Sequence, residues 1–268
     1  MRLAIIGCGS IGGELAEAAD EMAEVKRIYL TDQRGLAAEA LASRLKKAVA
    51  IRSIEPELYH CDLVIEAASQ AAAGDLIPKV VGRGVDMMIM SVSALADDDY
   101  RKNVYETARN TGARILVPSG AVCGTDGLSS ASVGRIDEVE LTTTKNPESL
   151  LDVPYLKDNG IDISKIDRPT VIYEGTAREA VKLFPKNVNV AATVSIMGIG
   201  FDRTKVKIVL DPATRSNSHE LIVKGEFGEI VSRTSNVPYL NNQSTSHLAA
   251  LSAISALKRV IRNDWVGI

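Results

Sequence analysis

Gly7, Gly9 and Gly12 stand at G-x-G-x-x-G spacing directly after the apolar run Arg2–Ile6. Asp32 follows Gly12 by twenty positions, at the end of a second apolar run. Gly7 permits a tight turn, Gly9 lets the backbone approach a diphosphate closely, and Gly12 lets the next helix pack on the sheet. Ser10 and Ile11 open that helix, whose unpaired N–H groups and positive dipole end suit phosphate. A carboxylate at Asp32, with Gln33 beside it, can accept hydrogen bonds from ribose hydroxyls and repels a 2′-phosphate. The order strand, glycine turn, helix, strand, acid is a dinucleotide-binding fingerprint. The expected cofactor is NAD. Arg34, two residues past the acid, could pair with a 2′-phosphate and leaves NADP open.

A nicotinamide cofactor carries the hydride itself, so the protein must orient a substrate, anchor its charges and move a proton. Three histidines compete for the last task. His60 precedes a strand in Tyr-His-Cys-Asp, and His247 begins the final helix, where packing or capping accounts for it. His219 follows the turn-prone residues 211–218 and is read as standing just before a strand, where a ring can be presented into a cleft. An ordinary imidazole, with a pKa of about 6.5, suits proton transfer near neutrality. Spacing alone leaves His219 between a catalytic and a structural role. Metal chemistry has little support, because no clustered His/Cys pattern occurs.

These residues need elements to hold them. Apolar runs alternate with helical spacing to about residue 117: a strand ending at Glu66, a helix near 74–81, a strand at 87–90, a helix at 97–111 and a strand at 114–117. This pattern predicts a doubly wound parallel Rossmann sheet, with ligands beyond the carboxyl ends of its strands. The loops after Glu66 and Met90 are small and polar. Ala68 and Ser69 in the first are expected near the nicotinamide ribose, with a plain strand-to-helix turn as the alternative. Residues 118–127 hold three glycines and a proline, read as a loop whose N–H groups could converge on an anion, with Ser119 as a polar group. Longer strands at 139–145, 170–174, 206–210, 220–224 and 229–233, with helices at 176–183 and 189–199, predict an α+β region with antiparallel pairing. Leu248, Leu251, Ile254, Leu257 and Ile261 form one apolar stripe on a final helix expected to dock on the first domain. The expected boundaries are a dinucleotide-binding domain at 1–118, a substrate and dimerisation domain at 119–243, and a returning helix at 244–268.

Composition sets the limits. The 268 residues are 46% hydrophobic and 24% charged, which is ordinary for a globular enzyme. A formal net charge of −3 argues against a nucleic-acid partner. No apolar run reaches membrane-spanning length, and the N-terminus enters a strand rather than a secretory signal. Cys8, Cys61 and Cys123 form no C-x-x-C pair, so a reduced, cytoplasmic protein without structural zinc is expected.

Taken together, the fingerprint, residues 118–127 (PSGAVCGTDG), residues 184–192 (FPKNVNVAA), Asn217-Ser218-His219 and residues 225–228 (GEFG) resemble the L-aspartate dehydrogenase family over nearly the whole chain. The resemblance implies NAD(P)-dependent oxidative deamination of L-aspartate through iminoaspartate to oxaloacetate and ammonia, or the reverse amination. Iminoaspartate released towards NAD biosynthesis is a further implied use. It also implies a catalytic role for His219, nucleotide contacts at Ala121, Cys123 and Asn189 (Asn187 competes with Asn189), and a homodimer through the second domain's sheet. Family members often have a small residue where Cys123 stands. For a dicarboxylic amino acid, Lys145 is the candidate carboxylate anchor, with a solvated strand-end lysine as the alternative, and Ser119 and Asn217 join it. Two rivals remain. One is a related reductase such as dihydrodipicolinate reductase or homoserine dehydrogenase, against which residues 184–192 and 217–228 argue. The other is a non-catalytic NAD-binding sensor, against which the lack of a basic helix or recognition domain argues.

Overall fold

Arg-Leu-Ala-Ile-Ile forms β1 (Arg2–Ile6), with Leu3, Ala4 and Ile5 fully buried, as suits a strand covered on both faces. In this computed structural model, which describes residues 1–151, 153–185 and 188–263, β1 lies near the middle of a six-stranded parallel sheet. The elements follow as α1 (Ser10–Glu21), β2 (Arg27–Thr31), α2 (Gly35–Ala42), β3 (Ala48–Ala50), β4 (Leu63–Glu66), α3 (Gln70–Val81), β5 (Asp86–Ile89), α4 (Asp98–Thr111) and β6 (Ile115–Leu116). The strand order β3-β2-β1-β4-β5-β6 reverses direction at β1 and β4, the place where a doubly wound sheet takes its ligand. Ile6 pairs with Thr31 on one side and with Glu66 on the other, so the ends of β2 and β4 flank the glycine turn.

The chain divides into two compact units. One is Met1–Pro118 together with the helical residues from Ala250 onward; the other is Ser119–Ala249. In the first, Leu3, Ile5, Leu15, Ile28, Leu63 and Ile65 share a core with Ala253 and Leu257 of α9 (His247–Arg262). Its helices are locally specified: Asp97 caps α4 by accepting from the Tyr100 N–H at 2.8 Å, and Gly112 ends it with a left-handed backbone.

The second unit holds α5 (Thr125–Ala131), β7 (Ile136–Lys145), α6 (Pro154–Asp158), β8 (Thr170–Thr176), α7 (Ala177–Leu183), α8 (Asn189–Met197), β9 (Lys205–Leu210), β10 (Asn217–Gly225), β11 (Gly228–Asn236) and the short hairpin β12 (Pro238–Tyr239) and β13 (Asn242–Ser246). Its sheet runs β11-β10-β7-β9-β8. The pairing is mixed: β10 is antiparallel to both β11 and β7, β8 is antiparallel to β9, but β7 and β9 run parallel. Phe184, fully buried, stacks against Tyr155 and Tyr173 at ring distances of 4.8 and 5.5 Å and so fixes the chain just before α8. Among the described residues no helix is long and apolar enough to cross a membrane.

Several local expectations are corrected. Leu36, Ala40, Leu41 and Leu45 give residues 35–47 helical spacing, but α2 ends at Ala42, and β3 starts only at Ala48. Residues 125–131 are helical rather than loop. The apolar run at 25–30 reads as a strand from Val25, but β2 begins at Arg27. Helix α3 starts at Gln70 and runs through Pro78, which cannot supply an N–H to the Gly74 carbonyl four residues earlier. Tyr100 of α4 supplies the missing donor, its hydroxyl lying 2.6 Å from that carbonyl oxygen. The exchange can be tested. Tyr100→Phe should lower stability by about 1 kcal/mol in urea unfolding, the usual cost of an orphaned acceptor. Pro78→Ala should cancel most of that loss, because it restores the N–H. Equal losses in both backgrounds would refute the exchange.

Candidate active site

The first unit presents a dinucleotide cradle. Gly7 has φ +95°, and a methyl there would lie 2.5 Å from the carbonyl oxygen of Ala67. A methyl on Gly12 would overlap the carbonyl oxygen of Gly7. The turn and the start of α1 are therefore closed to side chains on the protein side. Above Gly9 nothing lies within 4 Å, so the backbone is open to a ligand. The Cys8 N–H donates to Asp32 Oδ2 at 2.8 Å, and the Arg34 N–H donates to Oδ1 at 2.8 Å. Burial opposes the Asp32 charge, but these bonds and the Arg34 guanidinium outweigh it and hold the carboxyl below its ordinary pKa. A carboxylate offers about four acceptor sites, so Oδ2, with one donor, keeps room for a ribose hydroxyl, while Oδ1 already accepts from the Arg34 N–H and its guanidinium. The residues present fit a dinucleotide.

Other expected contacts lie around the same strand ends. Ser10 and Ile11 are half-buried at the start of α1, Gln33 is exposed, and Ala68 and Ser69 are exposed after β4. Ser69 also caps α3, accepting from the Ala72 N–H at 3.2 Å. Arg34 is 71% exposed and reaches Asp32 Oδ1 at 3.4 Å. Cys8 has no thiolate character; burial and the nearby Asp32 push its thiol up to about 11.

The second unit carries a buried polar surface at one end of its sheet. His219 lies inside β10 rather than ahead of it, opposite Thr143 of β7 and Thr234 of β11. Strand alternation puts Lys145 and Thr143 of β7, Asn217 and His219 of β10, and Thr234 and Asn236 of β11 on one face. All six are at least nine-tenths buried. The His219 Nδ1 and the Thr143 hydroxyl are 3.0 Å apart, which orients the ring. Burial, and then the charge of Lys145, lower the His219 pKa to about 3, so the ring is neutral at physiological pH rather than poised near 6.5. Lys145 is not a solvated lysine. It is 4% exposed, donates to the Ser244 carbonyl at 3.0 Å, and has no carboxylate partner among the described residues. Burial alone lowers its pKa to about 8.

The remaining expected contacts are built around this surface. The Asn217 amide donates to the Gln243 carbonyl at 3.0 Å, so with Lys145 it ties β13 to the sheet. Thr234 and Asn236 both donate to the Ala121 carbonyl at 3.0 Å, and Ser232 donates to the Cys123 carbonyl at 2.7 Å. This stitches the loop ahead of α5 onto β11. Gly120, at φ +70°, faces Val190 of α8, which places the Ala121 loop beside the helix that starts at Asn189. Ser119 is half-buried in that loop; Asn187 lies outside the described residues. Of the other histidines, His60 is exposed, and the His247 ring packs edge-on against Tyr239 at 5.5 Å. Thr143, Thr234 and Asn236 were not singled out from sequence. Their only signal is that they share alternation parity with the buried strand positions around them.

Comparison with known proteins supplies the family. Residues 126–260 match the model described as "Aspartate dehydrogenase, C-terminal", and residues 7–118 match "Homoserine dehydrogenase, NAD binding domain". The L-aspartate dehydrogenase of Methanosarcina acetivorans is 44% identical over 269 residues, covering 100% of this chain and 99% of that protein. The L-aspartate dehydrogenase of Nitrosopumilus maritimus is 40% identical over 266 residues, covering 98% and 97%. The crystal structure of aspartate dehydrogenase from Thermotoga maritima superposes with a TM-score of 0.75 at 29% identity, covering 98% of this chain and 96% of that one. A hyperthermophilic archaeal homoserine dehydrogenase in complex with NADPH shares the fold alone, with a TM-score of 0.62 at 13% identity. The chain carries an NAD-binding domain, is an NAD(P)-dependent oxidoreductase by kinship, and belongs to the L-aspartate dehydrogenase family.

Proposed function

We propose that this chain catalyses oxidative deamination of L-aspartate through iminoaspartate to oxaloacetate and ammonia, or the reverse amination, with NAD preferred over NADP. The observation that carries the reading is the buried Lys145 ammonium, without a carboxylate partner among the described residues, on the same sheet face as a neutral His219. A buried cation that lacks a counter-ion is costly, and an anionic substrate removes that cost. Lys145 therefore anchors a substrate carboxylate, with Asn217 of β10 and Ser119 of the loop ahead of α5 as the further polar substrate contacts. His219, held through Nδ1 by Thr143, keeps its Nε2 to take a proton from the substrate amine or from the water that adds to the imine carbon. When bound, the pyridine nucleotide supplies the hydride acceptor. Gly7, Gly9, Ser10, Ile11 and Gly12 would hold its diphosphate, and Asp32 with Gln33 its adenosine ribose. Ala68, Ser69, Ala121, Cys123 and Asn189 would complete its contacts. The charge on Asp32 supports the NAD preference, since it repels a 2′-phosphate.

The same proposal includes a homodimer through the second unit's sheet, supported by Val171 and Val231, which are 51% and 60% exposed on its strands. It includes the cytoplasm as the compartment, supported by three unpaired cysteines. Release of iminoaspartate towards NAD biosynthesis is a role we place downstream of this activity.

Initial rates with L-aspartate and NAD⁺ or NADP⁺ test the reading, with homoserine as the rival substrate. Aspartate-dependent reduction should exceed the homoserine rate, and NAD⁺ should exceed NADP⁺. Activity on homoserine alone would overturn the assignment. In the pH profile, kcat/KM for aspartate should fall as pH rises through about 8, where Lys145 loses its proton. It should show no His219 inflection near 6.5, because that group ionises only at about 3. Lys145→Met should lower kcat/KM about 100-fold or more, in line with loss of a buried charge contact. It should also leave stability at pH 7 equal or raised, because the folded pKa lies below the ordinary 10.5 and the charged form is the destabilised one. A Lys145→Met protein that is less stable yet fully active would make Lys145 a structural residue.

A further inference from the structure

Glu66 ends β4 and is fully buried, yet no ion pair in the first unit accounts for its carboxylate among the described residues. Among the described residues its oxygens accept from the two loops that follow β4 and β5. Oε1 accepts from the Ala68 N–H at 2.8 Å and the Ser91 hydroxyl at 2.9 Å, and Oε2 accepts from the Ser91 N–H at 3.0 Å. Burial pushes the carboxyl's pKa up, and these bonds, with one from the Ser69 N–H, oppose the rise. The ionised form, which is acceptor-only, accepts from every one of these donors, whereas a protonated Glu66 would need the Ser91 hydroxyl to turn round and accept from it. The Glu66 loop also packs on the glycine turn, since Ala67 and Ala68 fill the space beside Gly7.

Sheet order gives the place of this charge along a bound dinucleotide. Asp32 lies just past β2, the diphosphate turn follows β1, and Glu66 closes β4, one strand further in the order β2-β1-β4-β5. Neighbouring strands are about 5 Å apart. If the adenosine ribose lies over β2 and the diphosphate over β1, the nicotinamide end lies over β4 and β5. We infer that Glu66 is a positioning residue for the nicotinamide end. It ties the Ala67–Ser69 and Ser91 loops into one floor and places a buried negative charge that favours the oxidised, positively charged ring over the reduced, neutral one. The inference rests on the dinucleotide reading of the first unit.

The test is calorimetric titration of the full-length protein and its Glu66→Gln variant with NAD⁺, NADH and ADP-ribose. The variant keeps the side chain's shape but sets an amide NH₂ against an N–H or O–H donor and removes the charge. NAD⁺ should bind roughly tenfold more weakly, NADH no more than about threefold more weakly, and ADP-ribose, which lacks nicotinamide, unchanged. Equal weakening of all three would reduce Glu66 to a structural role, and no change in any would remove it from the site. Should Glu66→Gln fail to fold, Ser91→Ala keeps the charge and loses one tie. It should weaken NAD⁺ and NADH alike by a few-fold and spare ADP-ribose; ADP-ribose weakened equally, or no effect at all, would overturn the inference. A wild-type protein that binds none of the three would overturn the dinucleotide reading itself, and this inference with it.

Discussion

The second unit holds the Lys145 ammonium away from water, without a carboxylate among the described residues, and much of that unit's geometry serves it. Lys145 stands at the end of a ten-residue strand, β7, between β10 and β9. Its one described hydrogen bond is to a backbone carbonyl of β13. A carbonyl dipole offsets only part of the desolvation of a full charge, so the Lys145 pKa falls; the same burial, and then the Lys145 charge, keep the neighbouring imidazole neutral. Two properties that catalysis on a dicarboxylic amino acid needs thus have one physical source. A cation seeks an anion, and a histidine stays unprotonated at neutral pH.

The first unit solves a different problem with the opposite sign of charge. Its parallel strands converge on backbone N–H groups at the glycine turn, which favour anions, and two carboxylates flank that turn at the ends of β2 and β4. Asp32 is held ionised by backbone donors from Cys8 and Arg34, and Glu66 is wrapped by donors from Ala68 and Ser91. Each acid also carries a structural duty, because the same bonds join the turn to β2 and the β4 loop to the β5 loop. Function and loop geometry are therefore coupled at both positions.

Legibility followed the range of the interactions involved. The β1–α1–β2 fingerprint was readable because its glycines and acid act through local backbone constraints. β4 and β5 were readable because strands buried on both faces are continuous apolar runs, such as Leu63-Val64-Ile65. β3 was not readable: three half-buried residues set among lysines and arginines carry no pattern of their own. Helix α3 through Pro78 depends on a hydroxyl from Tyr100, twenty-two positions away in sequence. The start of β10 was hidden for a more instructive reason. Asn217 and His219 alternate with half-buried serine as a strand should, but hydropathy reads buried polar residues as exposed ones. The polar face they form with Thr143, Lys145, Thr234 and Asn236 exists only once β7, β10 and β11 pair, and the parallel pairing of β7 with β9 is likewise invisible in a linear pattern.

The central claim is that the Lys145 charge is reserved for a substrate carboxylate. Proton uptake on ligand binding tests it most directly. Calorimetric titration of the NADH-bound protein with succinate, an unreactive dicarboxylate, at pH 9 in buffers of different ionisation enthalpy reads that number without turnover. With Lys145 titrating at about 8 when free, binding should draw in close to one proton, and Lys145→Met should abolish the uptake. Succinate binding with no proton uptake in the unaltered protein would contradict the account.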